Sequence, residues 1–390
     1  MPSYRPNRLV AVAVLLAAAA CTRAETEPSR GPDPALTRAT PVPGDAPFTI
    51  AAQATFDEPW AMAFLPDGRL LVTEKRGALK LFNPTTQRSG EITGVPKVAY
   101  GGQGGLGDVA LHPGFASNGL VYLSYAEAGL RNTHGAVVAR ATLSLDEDGG
   151  GELGKPDVIW RQTPKLTGQG HYGHRLLFAD GHLYVSSGER QHFEPAQDMD
   201  ANLGKILRLA DDGKAAPDNP FAGEGKVAAQ IWSLGHRNPL GIDVDAQGRL
   251  WNTEMGPQGG DELNLVRRGA NYGYPIVSNG DHYGGRDIPD HDTRPEFVAP
   301  RLWWTPVISP SSLHFYRGAL FPWGGQALIG GLSSQALIRV EITGENAKEV
   351  ARYDFGHRIR AVEEDKDGAL WLLEDGSGGR LLKLTPRAED

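Results

Sequence analysis

A short phrase recurs along this chain, a turn built on Asp-Gly or Asn-Gly that runs at once into a brief apolar strand. It appears as Pro66-Asp67-Gly68-Arg69-Leu70-Leu71-Val72, Asn118-Gly119-Leu120-Val121-Tyr122-Leu123 and Asp180-Gly181-His182-Leu183-Tyr184-Val185. It returns as Gln247-Gly248-Arg249-Leu250-Trp251 and Asp367-Gly368-Ala369-Leu370-Trp371-Leu372, and a degenerate copy, Trp323-Gly324-Gly325-Gln326-Ala327-Leu328-Ile329, fills the one long gap. A tight turn followed by such a run is half a β-hairpin. Six copies at long spacing are the mark of a radial or stacked repeat fold.

Each unit continues past its hairpin into a further strand, as in Leu79-Lys80-Leu81-Phe82, Val137-Val138-Ala139-Arg140-Ala141, Lys205-Ile206-Leu207-Arg208-Leu209 and Leu381-Leu382-Lys383-Leu384. Ile231-Trp232-Ser233-Leu234 and Ala336-Leu337-Ile338-Arg339-Val340 are short and β-branched or aromatic, and no long 3.6-residue stripe competes with them. Several strands per unit of roughly sixty residues predict an all-β, six-bladed β-propeller of four-stranded antiparallel blades. A β-helix needs a much shorter period, and a parallel α/β fold needs amphipathic helices between its strands. In a propeller the loops of every blade meet at one end, so functional residues should be scattered along the sequence, one or two per blade.

The first residues are set aside before fold reasoning. Arg5 and Arg8 precede an apolar run, Leu9 to Ala20, too short to span a bilayer, which ends at Ala18-Ala19-Ala20-Cys21. This resembles a bacterial lipoprotein signal, with residues 1–21 as signal peptide and Cys21 as the lipidated residue; plain secretion is the alternative. Residues 22–47, rich in Pro, Ala, Thr, Glu and Arg, read as a disordered tether. Residues 48–387 read as one propeller domain. The expected location is the periplasm, anchored to the outer membrane by lipid alone. Cys21 is the sole cysteine, which excludes disulfides and haem attached through Cys-x-x-Cys-His. A net charge of −8 without a Lys/Arg block argues against nucleic acid.

One motif is a decoy. Gly102-Gln103-Gly104-Gly105-Leu106-Gly107 fits the dinucleotide fingerprint, but that pattern has meaning only between a strand and a helix. Here Asp108-Val109-Ala110-Leu111-His112-Pro113 follows, a strand-like run closed by proline.

Across the whole globular body the motifs, in order, resemble the soluble pyrroloquinoline quinone (PQQ)-dependent sugar dehydrogenases, especially bacterial aldose sugar dehydrogenases. They are Gly101 to Gly107 leading into Leu111-His112-Pro113; Gly170-His171-Tyr172-Gly173-His174-Arg175-Leu176; and Ile231-Trp232-Ser233-Leu234-Gly235-His236-Arg237-Asn238-Pro239. Glu254-Met255-Gly256-Pro257-Gln258-Gly259-Gly260-Asp261-Glu262-Leu263-Asn264, Asn271-Tyr272-Gly273-Tyr274-Pro275 and Arg358-Ile359-Arg360 complete the set. The resemblance implies oxidation of an aldose at its anomeric carbon to a lactone, with PQQ and Ca2+ as cofactors and an external electron acceptor.

It also implies roles. His171 is the general base, and a neutral imidazole suits removal of a hydroxyl proton near pH 7; the bland reading is a loop histidine bonded for structure. Arg237 stabilises charge developing on the quinone oxygen, and Asn238 hydrogen-bonds the quinone. The Gly256 and Pro257 carbonyls hold the calcium that grips the cofactor. Glu262 and the Tyr272 carbonyl match a second, structural calcium site. Arg358 and Arg360, two apart on a strand and therefore on one face, suit the cofactor's carboxylates. Gln103 matches a glutamine close to the pocket, and Glu189 stands where an acidic residue would orient His171. His171 and His174 alone are weak evidence for zinc.

Two departures stand out. Where the family often has a lysine after the fifth-blade leucine, Leu332 is followed by Ser333 and Ser334. The loop Trp303-Trp304-Thr305-Pro306 also differs, so substrate choice does not carry over; Trp304 is either a sugar-stacking ring or a core residue. Two other classes stay open: a non-catalytic propeller binding envelope glycans or proteins, and a metal-dependent propeller hydrolase with carboxylates converging on an axial ion.

Overall fold

The computed structural model describes residues 46–146 and 149–387. The signal segment and nearly all of the tether lie outside the described residues. Six blades follow one another. The first comprises Pro59–Phe64, Leu70–Glu74, Ala78–Asn83 and Arg88–Thr93. The second runs Leu106–Leu111, Leu120–Ala128, His134–Leu145 and Asp157–Arg161, and the third Gly173–Ala179, His182–Ser187, Lys205–Leu209 and Ile231–Leu234. The fourth runs Pro239–Val244, Leu250–Glu254, Asp261–Leu265 and Leu302–Trp304, and the fifth Pro310–Phe315, Ala327–Gly331, Ala336–Thr343 and Asn346–Asp354. The sixth takes Ile359–Glu364, Leu370–Glu374 and Ser377–Pro386 from the end of the chain and Phe48–Asp57 from its beginning. That pairing closes the ring. The innermost strand of each blade packs against that of the next, and the sixth against the first. One addition departs from the four-strand pattern: Gly151–Leu153 pairs parallel to Arg88–Thr93 and antiparallel to His134–Leu145, joining the first two blades into one sheet.

The recurring turn joins the innermost strand of each blade to the second. Its glycines, Gly68, Gly119, Gly181, Gly248, Gly325 and Gly368, all have φ between 62° and 87°, a conformation that other residues adopt only at a cost. Aspartates brace several of these turns. Asp245 Oδ1 accepts the Gln247 and Arg249 N–H groups, both at 3.0 Å, while Oδ2 accepts Trp251 Nε1–H at 2.8 Å. Asp365 makes the same bonds to Asp367, Ala369 and Trp371 in the sixth blade. The repeated phrase is thus a turn whose side chains pin the strand that follows. Apolar residues of those strands, among them Leu71, Val185, Trp251, Ile329 and Leu372, are fully buried between blades.

Along the axis one side chain touches every blade. Arg175, buried on the innermost strand of the third, reaches Asp108 of the second at 3.2 Å. It also donates to the carbonyls of Leu240 (2.8 Å) in the fourth blade, Ser311 (2.6 Å) in the fifth and Arg360 (3.4 Å) in the sixth. Its guanidinium lies 3.9 Å over the ring of Trp60 in the first. Desolvating a guanidinium is expensive, and these partners offset the cost. Arg175 borders a cavity of about 590 Å³ on one side, lined also by Asp243, His314 and Glu363. Its partners Trp60, Leu240 and Arg360 border a second cavity, of about 220 Å³, towards the other end. The smaller one gathers the motif residues.

Candidate active site

The chain enters each innermost strand and leaves each second strand at the same end of the ring, because the two are antiparallel. His171, Arg237, Asn238, Arg358 and Gln103 lie just before innermost strands, and Glu189, Gly256 and Pro257 just after second strands. Residues far apart in sequence therefore share one rim.

The His171 segment is held by close passage of two backbones. The Gly188 N–H donates to Tyr172 O (3.1 Å), and the Arg190 N–H to His171 O (3.2 Å). A Cβ on Gly188 would sit 2.2 Å from His171 O, so only glycine allows the approach. His171 and His174 both have positive φ, 48° and 56°, a strained conformation of the kind that clusters at functional sites. The His171 ring presents Nδ1 to Glu189 Oε1 at 2.6 Å, and the other Glu189 oxygen accepts the His192 N–H at 2.9 Å. Glu189 is completely buried. As a carboxylate it is an acceptor, so Nδ1 carries the proton and Nε2 keeps its lone pair. Burial pushes the His171 pKa down; the Glu189 bond pulls the other way, and the Arg237 charge adds to the lowering. The ring is neutral at neutral pH.

Arg237 and Asn238 complete this corner. The Arg237 N–H donates to Glu254 (2.7 Å), and Nη1 donates to the carbonyls of Met255 (3.0 Å) and Gly256 (2.7 Å). Its Nε is buried without a partner, as are Asn238 Nδ2 and the Tyr172 and Tyr274 hydroxyls. Asn238 Oδ1 accepts the Gly173 N–H at 3.2 Å. Buried donors left unspent are costly, and they mark a place built for a polar ligand. The cavity alongside is lined by Gln103, Gly173, Met255, Leu332, Lys75, Arg358, Arg360, Glu58 and Asp375. Gln103 Oε1 accepts the His171 N–H at 2.8 Å, tying the two together. Of the unspent donors Tyr172 borders this cavity, and with Gln103, Lys75, Arg358 and Arg360 the wall has the polar and cationic groups that fit a tricarboxylate.

Arg358 precedes the strand and Arg360 lies on it, yet both guanidiniums converge on Asp375, Arg358 at 2.7 Å and Arg360 at 2.8 Å. The expected pair is present, with a counter-charge that the sequence did not announce. Sequence reading also missed Lys75. Its only signal was position, directly after the second strand of the first blade. Ser333 is a short hydroxyl bonded to Val307 O (3.2 Å), so no cation stands there. Trp304 is a core residue, buried with its Nε1–H on Glu349 (2.7 Å), because the fourth strand of its blade faces the fifth; the sugar-stacking alternative falls for that residue.

The two expected calcium motifs border a single small cavity of about 10 Å³, lined by Gly256, Pro257, Glu254, Glu262, Tyr272 and Ser278. That is room for one small species. Asn264 Nδ2 donates to both Glu254 and Glu262 at 3.0 Å, bringing two buried carboxylates together. Burial, then the neighbouring Glu254 charge, push the Glu262 carboxyl well above the usual range. Main-chain oxygens beside paired carboxylates suit a hard dication. Two of the expected oxygens have other partners as well: Gly256 O takes Arg237 Nη1, and Tyr272 O faces His291 Nε2 at 3.1 Å. Each carbonyl has a second lone pair to offer. Among the described residues no three His, Cys, Asp or Glu side chains converge as a metal cluster, the arrangement that the hydrolase reading requires.

Comparison with known proteins agrees with this architecture. The family model described as glucose/sorbosone dehydrogenase matches residues 56–383. The chain is 39% identical over 355 residues to the aldose sugar dehydrogenase YliI of Escherichia coli K12, covering 88% of this chain and 94% of that one. It is 26% identical to the quinoprotein glucose dehydrogenase B of Acinetobacter calcoaceticus, over 83% and 84% of the two chains. Among solved structures, the PQQ-bound aldose sugar dehydrogenase of Streptomyces coelicolor superposes with a TM-score of 0.72 at 30% identity, covering 89% of this chain and all of that one. With the fold, the rim and the order of its motifs in agreement, the chain belongs to the glucose/sorbosone dehydrogenase family.

Proposed function

We propose that this protein is a PQQ-dependent sugar dehydrogenase that oxidises the anomeric CH–OH of an aldose to a lactone and passes the electrons to an external acceptor. The observation that carries the reading is one corner of the rim. There a neutral imidazole with a free Nε2 stands beside unspent donors of Arg237 and Asn238 and a cavity rich in cations. When bound, PQQ supplies the ortho-quinone that takes up the hydride.

His171 Nε2 accepts the proton of the anomeric hydroxyl, and Glu189 stabilises the imidazolium that results. Arg237 and Asn238 offer hydrogen bonds to the oxygen on which negative charge grows. Arg358 and Arg360 would hold the cofactor's carboxylates. Gly256 and Pro257 are the chain's candidates for holding a calcium that would polarise the reacting carbonyl, and Glu262 and the Tyr272 carbonyl those for a second ion that would stiffen the loop. Export and attachment through a lipid on Cys21 complete the reading.

The test starts from apo-protein loaded with PQQ and calcium and assayed for dye reduction with several aldoses. Turnover is expected, and His171→Ala should lower it by about 10²–10⁴-fold while PQQ still binds. Folded, PQQ-loaded protein that reduces no dye with any aldose would leave the non-catalytic binding module as the better reading.

A further inference from the structure

We propose that Lys75 is a third cation for the cofactor's carboxylates, and that the cavity depends on it for its net positive charge; this rests on the PQQ reading above. Three cations and two carboxylates line the cavity: Lys75, Arg358 and Arg360 against Glu58 and Asp375. Asp375 is fully committed. Oδ2 accepts Arg358 Nε at 2.7 Å, and Oδ1 accepts Arg360 Nε and Nη2 at 2.9 and 2.8 Å. Glu58 is committed elsewhere, with Oε2 accepting the Tyr100 hydroxyl at 2.7 Å and lying 3.2 Å from Arg76 Nε. Lys75 Nζ stands 3.9 Å from the other Glu58 oxygen, beyond hydrogen-bond reach, and its one hydrogen bond is to Gly102 O at 3.1 Å. An ammonium has three donors, so two remain for a ligand.

The placement follows from the fold. Lys75 directly follows the second strand of the first blade, as Met255, Leu332 and Asp375 directly follow those of the fourth, fifth and sixth, and all four side chains border this cavity. Without Lys75 the ionic wall is neutral, two cations against two carboxylates. A tricarboxylate would then meet no net attraction from it. With Lys75 the wall keeps one positive charge in a partly enclosed space, where electrostatic attraction is screened less than at an open surface.

The experiment titrates apo-protein with PQQ at fixed calcium and without sugar, following quenching of tryptophan fluorescence; Trp60 borders the cavity. Lys75→Met should weaken PQQ binding by about tenfold or more and make it less dependent on salt, as expected when a charge-assisted bond is lost. Lys75→Arg should bind within about threefold of wild type, since the charge is kept. Glu58→Gln adds net positive charge to the wall and should tighten binding, which keeps the inference testable should Lys75→Met fail to fold by circular dichroism. Wild-type binding matched by Lys75→Met, or unaltered by Glu58→Gln, overturns the role of Lys75 alone. Absence of PQQ binding to folded wild type overturns the cofactor reading and this inference with it.

Discussion

Replacing Glu189 with Gln tests the proposed catalytic corner more sharply than removing His171. Glu189 faces two N–H donors at once, His171 Nδ1 at 2.6 Å and the His192 main-chain N–H at 2.9 Å. A carboxylate accepts both; a carboxamide has one oxygen and must turn its NH2 towards one of them. The His192 N–H cannot change its role, and opposing it with NH2 would leave buried donors unsatisfied at about 1–3 kcal/mol. His171 can change, by moving its proton from Nδ1 to Nε2. The amide therefore settles with NH2 towards Nδ1, and Nε2 becomes a donor that cannot take a proton. The expected loss in kcat is most of what a general base supplies, about 10²–10⁴-fold, from one isosteric change that adds no cavity. PQQ affinity should stay within about threefold, since Glu189 does not border the cofactor cavity. Stopped-flow measurement of the half-reaction with sugar, beside a PQQ titration, separates the two effects. In wild type the acid limb of kcat/KM should fall below pH 6.5, because burial lowers the His171 pKa. A Glu189→Gln enzyme within threefold of wild-type kcat, or a wild-type limb above pH 6.5, would refute the assignment of proton and lone pair.

Arg175→Met should cost about 3–5 kcal/mol in urea denaturation, because Asp108 is left buried and unpaired; a loss under 1 kcal/mol would mean the axial contacts are incidental. Asp108→Asn in that background should recover part of it, read as a double-mutant cycle. His174, stacked on Trp60 at 4.8 Å, has its pKa lowered from 6.5 to about 3, chiefly by burial. Its folded value lies below its unfolded one, so its contribution is complete above pH 6.5 and is lost as pH falls. At pH 5 the loss is about 2 kcal/mol, and His174→Gln should flatten the stability profile between pH 7 and 5. Calcium at 100 times its dissociation constant should stabilise the fold by about 2.7 kcal/mol. Glu262→Gln should abolish most of that response, and a wild-type Tm indifferent to calcium and chelator would remove the ion from the site.

The propeller was legible because its determinants are local. Each turn needs a glycine at positive φ, several are braced by an Asp or Asn close before it, and each strand needs its alternation, so a short window carries the message. The shared rim position of His171, Arg237 and Asn238 was legible in the same way, since they sit in motifs that can be read in line. Arg175 stands within such a motif, yet its importance comes from carbonyls in three other chain segments, and main-chain acceptors leave no mark on sequence. Asp375 and Lys75 were missed for a related reason: a counter-ion is identified by distance, and these residues stand in plain Glu-Lys and Glu-Asp surroundings. Trp304 was ambiguous because an aromatic at a strand end suits a core and a rim equally. Only the partner Glu349, 45 residues on, decides it.

The geometry supplies a rule that the sequence could have used. In an antiparallel pair, the first residue before one strand and the first after its neighbour must share an end. Once the repeated phrase marks the second strand of each blade, the rim is therefore marked too: it is the residue following that strand, together with the two or three preceding the strand before it. Applied here, the rule selects Lys75, Gly129, Gly188, Met255, Leu332 and Asp375 from one side of the hairpins and, among others, Glu58, Gln103, His171, Arg237, Asn238 and Arg358 from the other. Chemistry then sorts them, since only an imidazole, guanidiniums, an ammonium, amides and carboxylates among these can exchange protons or bind charge. The fifth blade offers Ile308, Ser309, Leu332 and then two serines at this end, none of them charged, against charged groups from the first and sixth. The ionic wall is thus one-sided, confined to the neighbouring sixth and first blades. A planar anion drawn to that wall would turn its opposite edge towards the third and fourth, where His171 and Arg237 stand. On the proposed reading, the asymmetry of charge around a ring whose backbone is nearly symmetric would set the orientation that catalysis needs.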